Sequence, residues 1–182
     1  MSDIIQLDSK EVYKNHWMRV REDRVVRPSG AEGIYGVVEK PDFAVIAAIE
    51  AGEIYLVQQY RYTVGGRYWE MPQGAWEQRP DADPAELAAG ELKEETGLEA
   101  GSLTHLAHQY LAYGFCNQGY HIYLAQQLRQ SERELDAEEE DLIVRPFPLA
   151  DVHKMIVNGE IKDATTVNVW GWLHFTGHLN GL

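Results

Sequence analysis

The stretch Gly90-Glu-Leu-Lys-Glu-Glu-Thr-Gly-Leu98 carries three carboxylates, Glu91, Glu94 and Glu95, spaced i, i+3 and i+4. On a helix of about 3.6 residues per turn the three share one face, where unpaired like charges repel by about 0.2–0.5 kcal/mol per pair. They also lie toward the negative end of the helix dipole, where cations are preferred. Such a cluster calls for a bound cation. Hard divalent ions such as magnesium take oxygen ligands, keep several waters and bridge carboxylates to substrate phosphates. Spacing alone leaves a second reading open, a solvated acidic helix face.

The helix that would carry these glutamates is well delimited. Asp83 can cap it, Pro84 suits its first position, Glu86 sits where a capping box wants it, and Gly97 marks its end. Ahead of it, Phe43 to Ile49 is a short continuous apolar run that reads as a buried strand, followed by strands over Ile54 to Tyr62 and Tyr68 to Met71. Trp69 reads as core. Leu103 to Tyr110, Tyr120 to Ala125 and Leu142 to Phe147 read as further strands, and Asp151 to Val157 and Asp163 to Thr176 as helices. The last helix is expected to bury Val167, Trp170 and Leu173 or His174. The first forty residues, with turn chemistry at Pro28-Ser29-Gly30, read as a hairpin or small sheet. The fold class expected is α/β of the α+β type: a mixed β-sheet packed between helices (41–182) with an amino-terminal antiparallel β appendage (1–40).

Other constellations carry less. His174 and His178 are four apart, but no glutamate follows His174 and Gly177 ends the helix between them, so no zinc pair is expected. His105 and His108 are an odd number of residues apart on a strand and face opposite sides, unless a bulge intervenes. They read as structural. Cys116 with His121 lacks the local signature of a nucleophile and base, and Gly65-Gly66-Arg67 lacks the ending of a P-loop. Arg61 and Arg67, just ahead of the helix, could bind phosphates or a ribose bidentately, or be ordinary surface arginines. Tyr62, Tyr68 and Trp69 are available for stacking on a base.

Composition bounds the function. In 182 residues, 45% are hydrophobic, enough for a real core, which excludes wholesale disorder. A net charge of −13 repels a phosphate backbone and argues against general nucleic-acid binding. An anionic substrate then needs metal ions or a local arginine cluster. No apolar run approaches the length of a membrane helix. With no secretory signal read at Met1 to Ile5 and a single cysteine, a reducing, cytoplasmic setting is expected.

Gly74, the loop to Asp83 and Glu91-Leu-Lys-Glu-Glu-Thr-Gly-Leu98 together resemble the Nudix box, whose carboxyl-terminal half, Glu-U-x-Glu-Glu-x-Gly-U with U aliphatic, is matched in full. The amino-terminal half departs: the segment from Gly74 to the helix is longer by two residues, Ala82 stands at the place of a glutamate and Gly90 at that of an arginine. Val57-Gln-Gln-Tyr-Arg-Tyr62 and Tyr68-Trp-Glu-Met-Pro-Gln-Gly74 are similar to the ADP-ribose/ADP-sugar pyrophosphatase branch. Tyr110-Leu-Ala-Tyr-Gly-Phe115 is similar to that branch's Tyr-Pro-Ser-Pro-Gly-Phe loop, with Leu111 and Tyr113 in place of its prolines.

The resemblance implies magnesium, with manganese a substitute, on Glu91, Glu94 and Glu95, and a further ligand, Glu140, from the acidic stretch Ala137 to Val144. It implies a general base from the same stretch, Glu138 or its neighbour Glu139, with Glu94 also catalytic. Arg61, Arg67, Gly74 and Tyr113 are the implied substrate contacts. The implied reaction is hydrolysis of the pyrophosphate of a nucleoside diphosphate-linked small molecule, ADP-ribose or another ADP-sugar, to AMP and a sugar phosphate. GDP-sugars, dinucleoside polyphosphates and coenzyme pyrophosphates are the alternatives within the class. From a different class, the alternative is a catalytically weak nucleotide-binding regulatory module. The amino-terminal segment is expected to make a homodimer contact.

Overall fold

The computed structural model describes residues 3–133 and 140–180. Strands β1 (Ile5–Lys14), β2 (Arg19–Val26) and β3 (Glu32–Glu39) form an antiparallel three-stranded sheet, the small sheet of the two forms expected. The larger sheet is built from β4 (Phe43–Glu50), β5 (Glu53–Arg61), β8 (Leu98–Tyr110), β9 (Gly119–Gln130) and β10 (Ile143–Pro148) in the order β10-β5-β4-β9-β8. Two short strands, β6 (Gly66–Glu70) and β7 (Gln73–Gly74), pair with β5 and β4. The β4–β9 pairing is parallel and the rest antiparallel, so the sheet is mixed as expected. β10 lies at the edge, which accommodates Pro146 and Pro148.

The continuous apolar run of β4 is explained by burial on both faces. Val45, Ala47 and Ile49 pack toward α2 (Leu149–Val157) and α3 (Ala164–Phe175), against Val152, Met155, Val169, Trp170 and Leu173. Ala44, Ile46 and Ala48 pack toward α1 (Pro84–Thr96), against Leu87, Ala88 and Leu92. Trp69 is core, edge-on to Phe147. Helix α3 buries Trp170 and Leu173 as expected, but Val169 takes the buried place expected of Val167, and Thr166 also faces inward, where its hydroxyl accepts the Met71 N–H at 2.9 Å.

Two local expectations are corrected. Asp83 caps α1 through the Ala85 N–H at 2.8 Å, but no capping box forms, because Glu86 pairs with Arg79 at 2.9 Å. In β8 the register against β9 shifts between His105 and Ala107, so the bulge turns His105 and His108 to the same face. The α1 stop is as read: Gly97 is left-handed at φ 69° and its N–H bonds the Lys93 carbonyl.

The two sheets are joined through the loop before β9. Val38 N–H donates to Phe115 O and Asn117 N–H to Val38 O, at 2.8 and 3.1 Å. Tyr35 OH donates to Gly114 O at 2.9 Å.

Candidate active site

Helix α1 packs across β4 and β7, and this contact sets the carboxylates. Glu95 is fully buried and its Oε2 accepts the Gln73 N–H at 3.0 Å. Glu91 is buried, and a side chain at Gly74 would overlap its carboxylate: a Cβ there would stand 2.3 Å from Oε2. Gly74 is therefore the residue that lets β7 pass directly over Glu91. Glu94 is half-buried. Glu91, Glu94 and Gly74 line one cleft of about 450 Å³. The last turn of α1 also receives a cation that the sequence reading missed. Arg133 reaches from beyond β9 to donate to the Glu95 carbonyl at 2.6 Å and to Leu142 O at 2.9 Å.

Arg61 enters the same cleft and pairs with Glu70, a buried carboxylate on β6. Burial raises the Glu70 pKa above its ordinary value, opposed by Arg61 and reinforced by Asp163. Asp163 caps α3 through Thr166 N–H at 2.7 Å and accepts from Gln73 Nε2 at 3.2 Å, so it ties α3 to the cleft. Of the other expected contacts, Arg67 pairs with Asp141 at the surface and Tyr113 is 84% exposed; neither lines the cleft. Glu140 is exposed beside Asp141, while Glu138 and Glu139 lie outside the described residues.

Of the aromatics named for stacking, Trp69 is in the core, Tyr62 is 89% exposed, and Tyr68 lies under Lys162 at 4.7 Å in a neighbouring recess. The aromatics that do line the cleft are Trp17, Phe43 and Trp76. Trp17 comes from the β1–β2 turn, held by Asn15 Oδ1 on its N–H at 2.9 Å. Neither Trp17 nor Trp76 was marked by any local pattern in the sequence, since both reach the cleft from loops.

The glycine at position 90 has a physical reason. A Cβ there would stand 2.3 Å from Trp76 Cζ2, so the indole occupies the space any side chain would need. Arg79 lies over the Trp76 ring at 4.7 Å and pairs with Glu86, so a loop cation stands against this face of α1.

Residues 39–166 match the NUDIX domain and residues 4–38 the nucleoside diphosphate sugar hydrolase N-terminal domain. The chain belongs to the Nudix family. This Nudix pyrophosphohydrolase is 32% identical over 167 residues to an ADP-ribose pyrophosphatase of Mycobacterium tuberculosis, a match covering 91% of this chain and 80% of that protein. It is 31% identical over 160 residues to an ADP-ribose pyrophosphatase of Bacillus subtilis, covering 86% and 85%. Its Nudix fold, with the appended sheet, is shared with the crystal structure of an ADP compounds hydrolase, at a TM-score of 0.85, 22% identity and 98% coverage of both chains.

Proposed function

We propose that the chain hydrolyses the pyrophosphate bond of ADP-ribose or another ADP-sugar, with Mg2+ or in its place Mn2+, to AMP and a sugar phosphate. The observation that carries this reading is the cleft itself, lined together by Glu91, Glu94, Arg61, Trp17 and Trp76. The likeness to two ADP-ribose pyrophosphatases over most of the chain supports the substrate class.

The donor set fits a hard divalent cation. It is all oxygen, the helix dipole favours a cation at this end, and Gly74 keeps the approach to Glu91 clear of a side chain. Glu91, Glu94 and Glu95 would hold it, with Glu140 as a further ligand. When bound, the cation supplies neutralisation of the pyrophosphate and a lower pKa for coordinated water.

The chain's own groups do the rest. Arg61 pairs with phosphate or ribose oxygens, and Trp17 or Trp76 offers a face to the base. A carboxylate takes the proton of the attacking water, Glu138 or Glu139 from the acidic stretch, with Glu94 as a catalytic partner. The new P–O bond forms from water, the bridging P–O bond breaks, and the leaving phosphate keeps that electron pair. In this proposal Arg67 pairs with Asp141 next to Glu140, Gly74 borders the substrate, and Tyr113, which stands outside the cleft, meets no part of the pyrophosphate.

The test is a panel of ADP-ribose, ADP-glucose, GDP-mannose, NADH, FAD and a dinucleoside polyphosphate, with phosphate release coupled through alkaline phosphatase. ADP-ribose or ADP-glucose is expected to be turned over fastest. Preference for GDP-mannose or a dinucleoside polyphosphate would overturn the substrate class. Nucleotide binding without turnover of any member would favour a regulatory module.

A further inference from the structure

On the α1 face of the large sheet a second group of ionisable side chains meets, none of which lines the carboxylate cleft. The β8 bulge sets His108 opposite His121 and puts His105 on the same face, opposite Tyr123. Asp42, immediately before β4, completes the group. Its Oδ2 lies 2.8 Å from His108 Nε2 and 3.9 Å from His121 Nε2. One donor atom from each of the three lies within 4.8 Å of the other two.

Several contacts hold this geometry. The second Asp42 oxygen accepts the Gly119 N–H at 2.7 Å, which fixes the plane of the carboxylate. Gly119 also leaves the necessary room: a Cβ there would stand 2.3 Å from His108 Nε2 and 3.0 Å from Asp42 Oδ2. The other ring nitrogen of His121, Nδ1, is 3.2 Å from His105 Nε2, within reach of an N–H···N bond. Ligating imidazoles are oriented in this way, one nitrogen toward the ion and the other toward a hydrogen-bond partner.

We propose that Asp42, His108 and His121 form a site for a transition-metal ion of the zinc class, separate from the carboxylate cleft. Two imidazoles and one carboxylate suit zinc or cobalt(II) and not magnesium, which prefers oxygen alone. With metal–ligand bonds of about 2.0–2.1 Å, tetrahedral ligand atoms stand about 3.3 Å apart, between the two spacings observed. All three side chains reach solvent, so an ion can enter without unfolding. His121 and Asp42 also border a recess of about 180 Å³ beside Trp76, which leaves a coordination position open to water or a small anion. Trp76 is shared with the cleft, so the two sites are neighbours across one indole.

The probe is Co2+ added to chelator-treated protein in excess Mg2+, read by its visible absorption. A tetrahedral band saturating at one equivalent is expected, lost in His108→Gln and Gly119→Ala and kept in Glu94→Gln. Absence of the band, or its loss only in Glu94→Gln, would overturn the site. If the variants fail to fold, imidazole nitrogen NMR of the unsubstituted protein decides the matter. One equivalent of Zn2+ should move the His108 and His121 resonances and leave those of His153, His174 and His178 in place. Shifts confined to the other histidines, or no shift at all, would contradict the proposal.

Discussion

At the scale of single residues, Gly90 shows how a neighbour can reverse a helix preference. Propensity alone makes Gly90→Ala stabilising by about 1 kcal/mol. The overlap with Trp76 predicts the opposite, a net loss of about 1 kcal/mol. In a Trp76→Ala background the same change should become stabilising, and urea denaturation of the double-mutant cycle reads the reversal. Glu70 gives a pH prediction. Burial holds its pKa above 4.5 in the folded protein, so the native state keeps this proton to higher pH than the unfolded chain. Stability is therefore lost as pH rises from 4.5 through the raised native value. Melting temperatures of wild type and Glu70→Gln should diverge in that window, the wild type falling relative to the variant. A difference that is flat with pH would contradict this, because the Arg61 pair forms only as Glu70 ionises and so belongs to the same titration. The three helix glutamates were legible in the sequence because their spacing is a property of one helix. Trp17, Phe43 and Gln118 were not, because they reach the cleft from segments far apart in the chain.

At the scale of elements, periodicity located β4 and α1 because each is specified locally, by a doubly buried apolar run and by Asp83, Pro84 and Gly97. What it missed depends on tertiary partners. Glu86 has the spacing of a capping box but is drawn to Arg79, and Val169 rather than Val167 is buried on the face of α3 where Thr166 bonds Met71. The β8 bulge has no local signal and became visible only once β8 was set against β9. The capping difference is measurable: Asp83→Ala should cost about 1 kcal/mol of stability, and Glu86→Ala less than half of that, because its partner is an exposed arginine. Equal losses in the two variants would indicate a reciprocal box after all.

At the scale of the whole molecule, every residue of β1 is exposed, and Ile5, Leu7, Val12 and Tyr13 present apolar surface on a sheet that also supplies Trp17 to the cleft. Apolar surface of this kind marks an interaction face, and a second copy is expected to cover it. Sedimentation equilibrium should return a dimer at micromolar concentration, weakened by Val12→Asp; a monomer would contradict it. If the α1 carboxylates turn over an ADP-sugar pyrophosphate with a divalent cation, activity depends on both the cation and Glu94. The most direct test is the rate of AMP formation from ADP-ribose in Mg2+ by wild type and by folded Glu94→Gln. Turnover is expected to stop on chelation and to fall by about 100-fold or more in the variant. Wild-type rates in Glu94→Gln, or turnover indifferent to chelator, would contradict it.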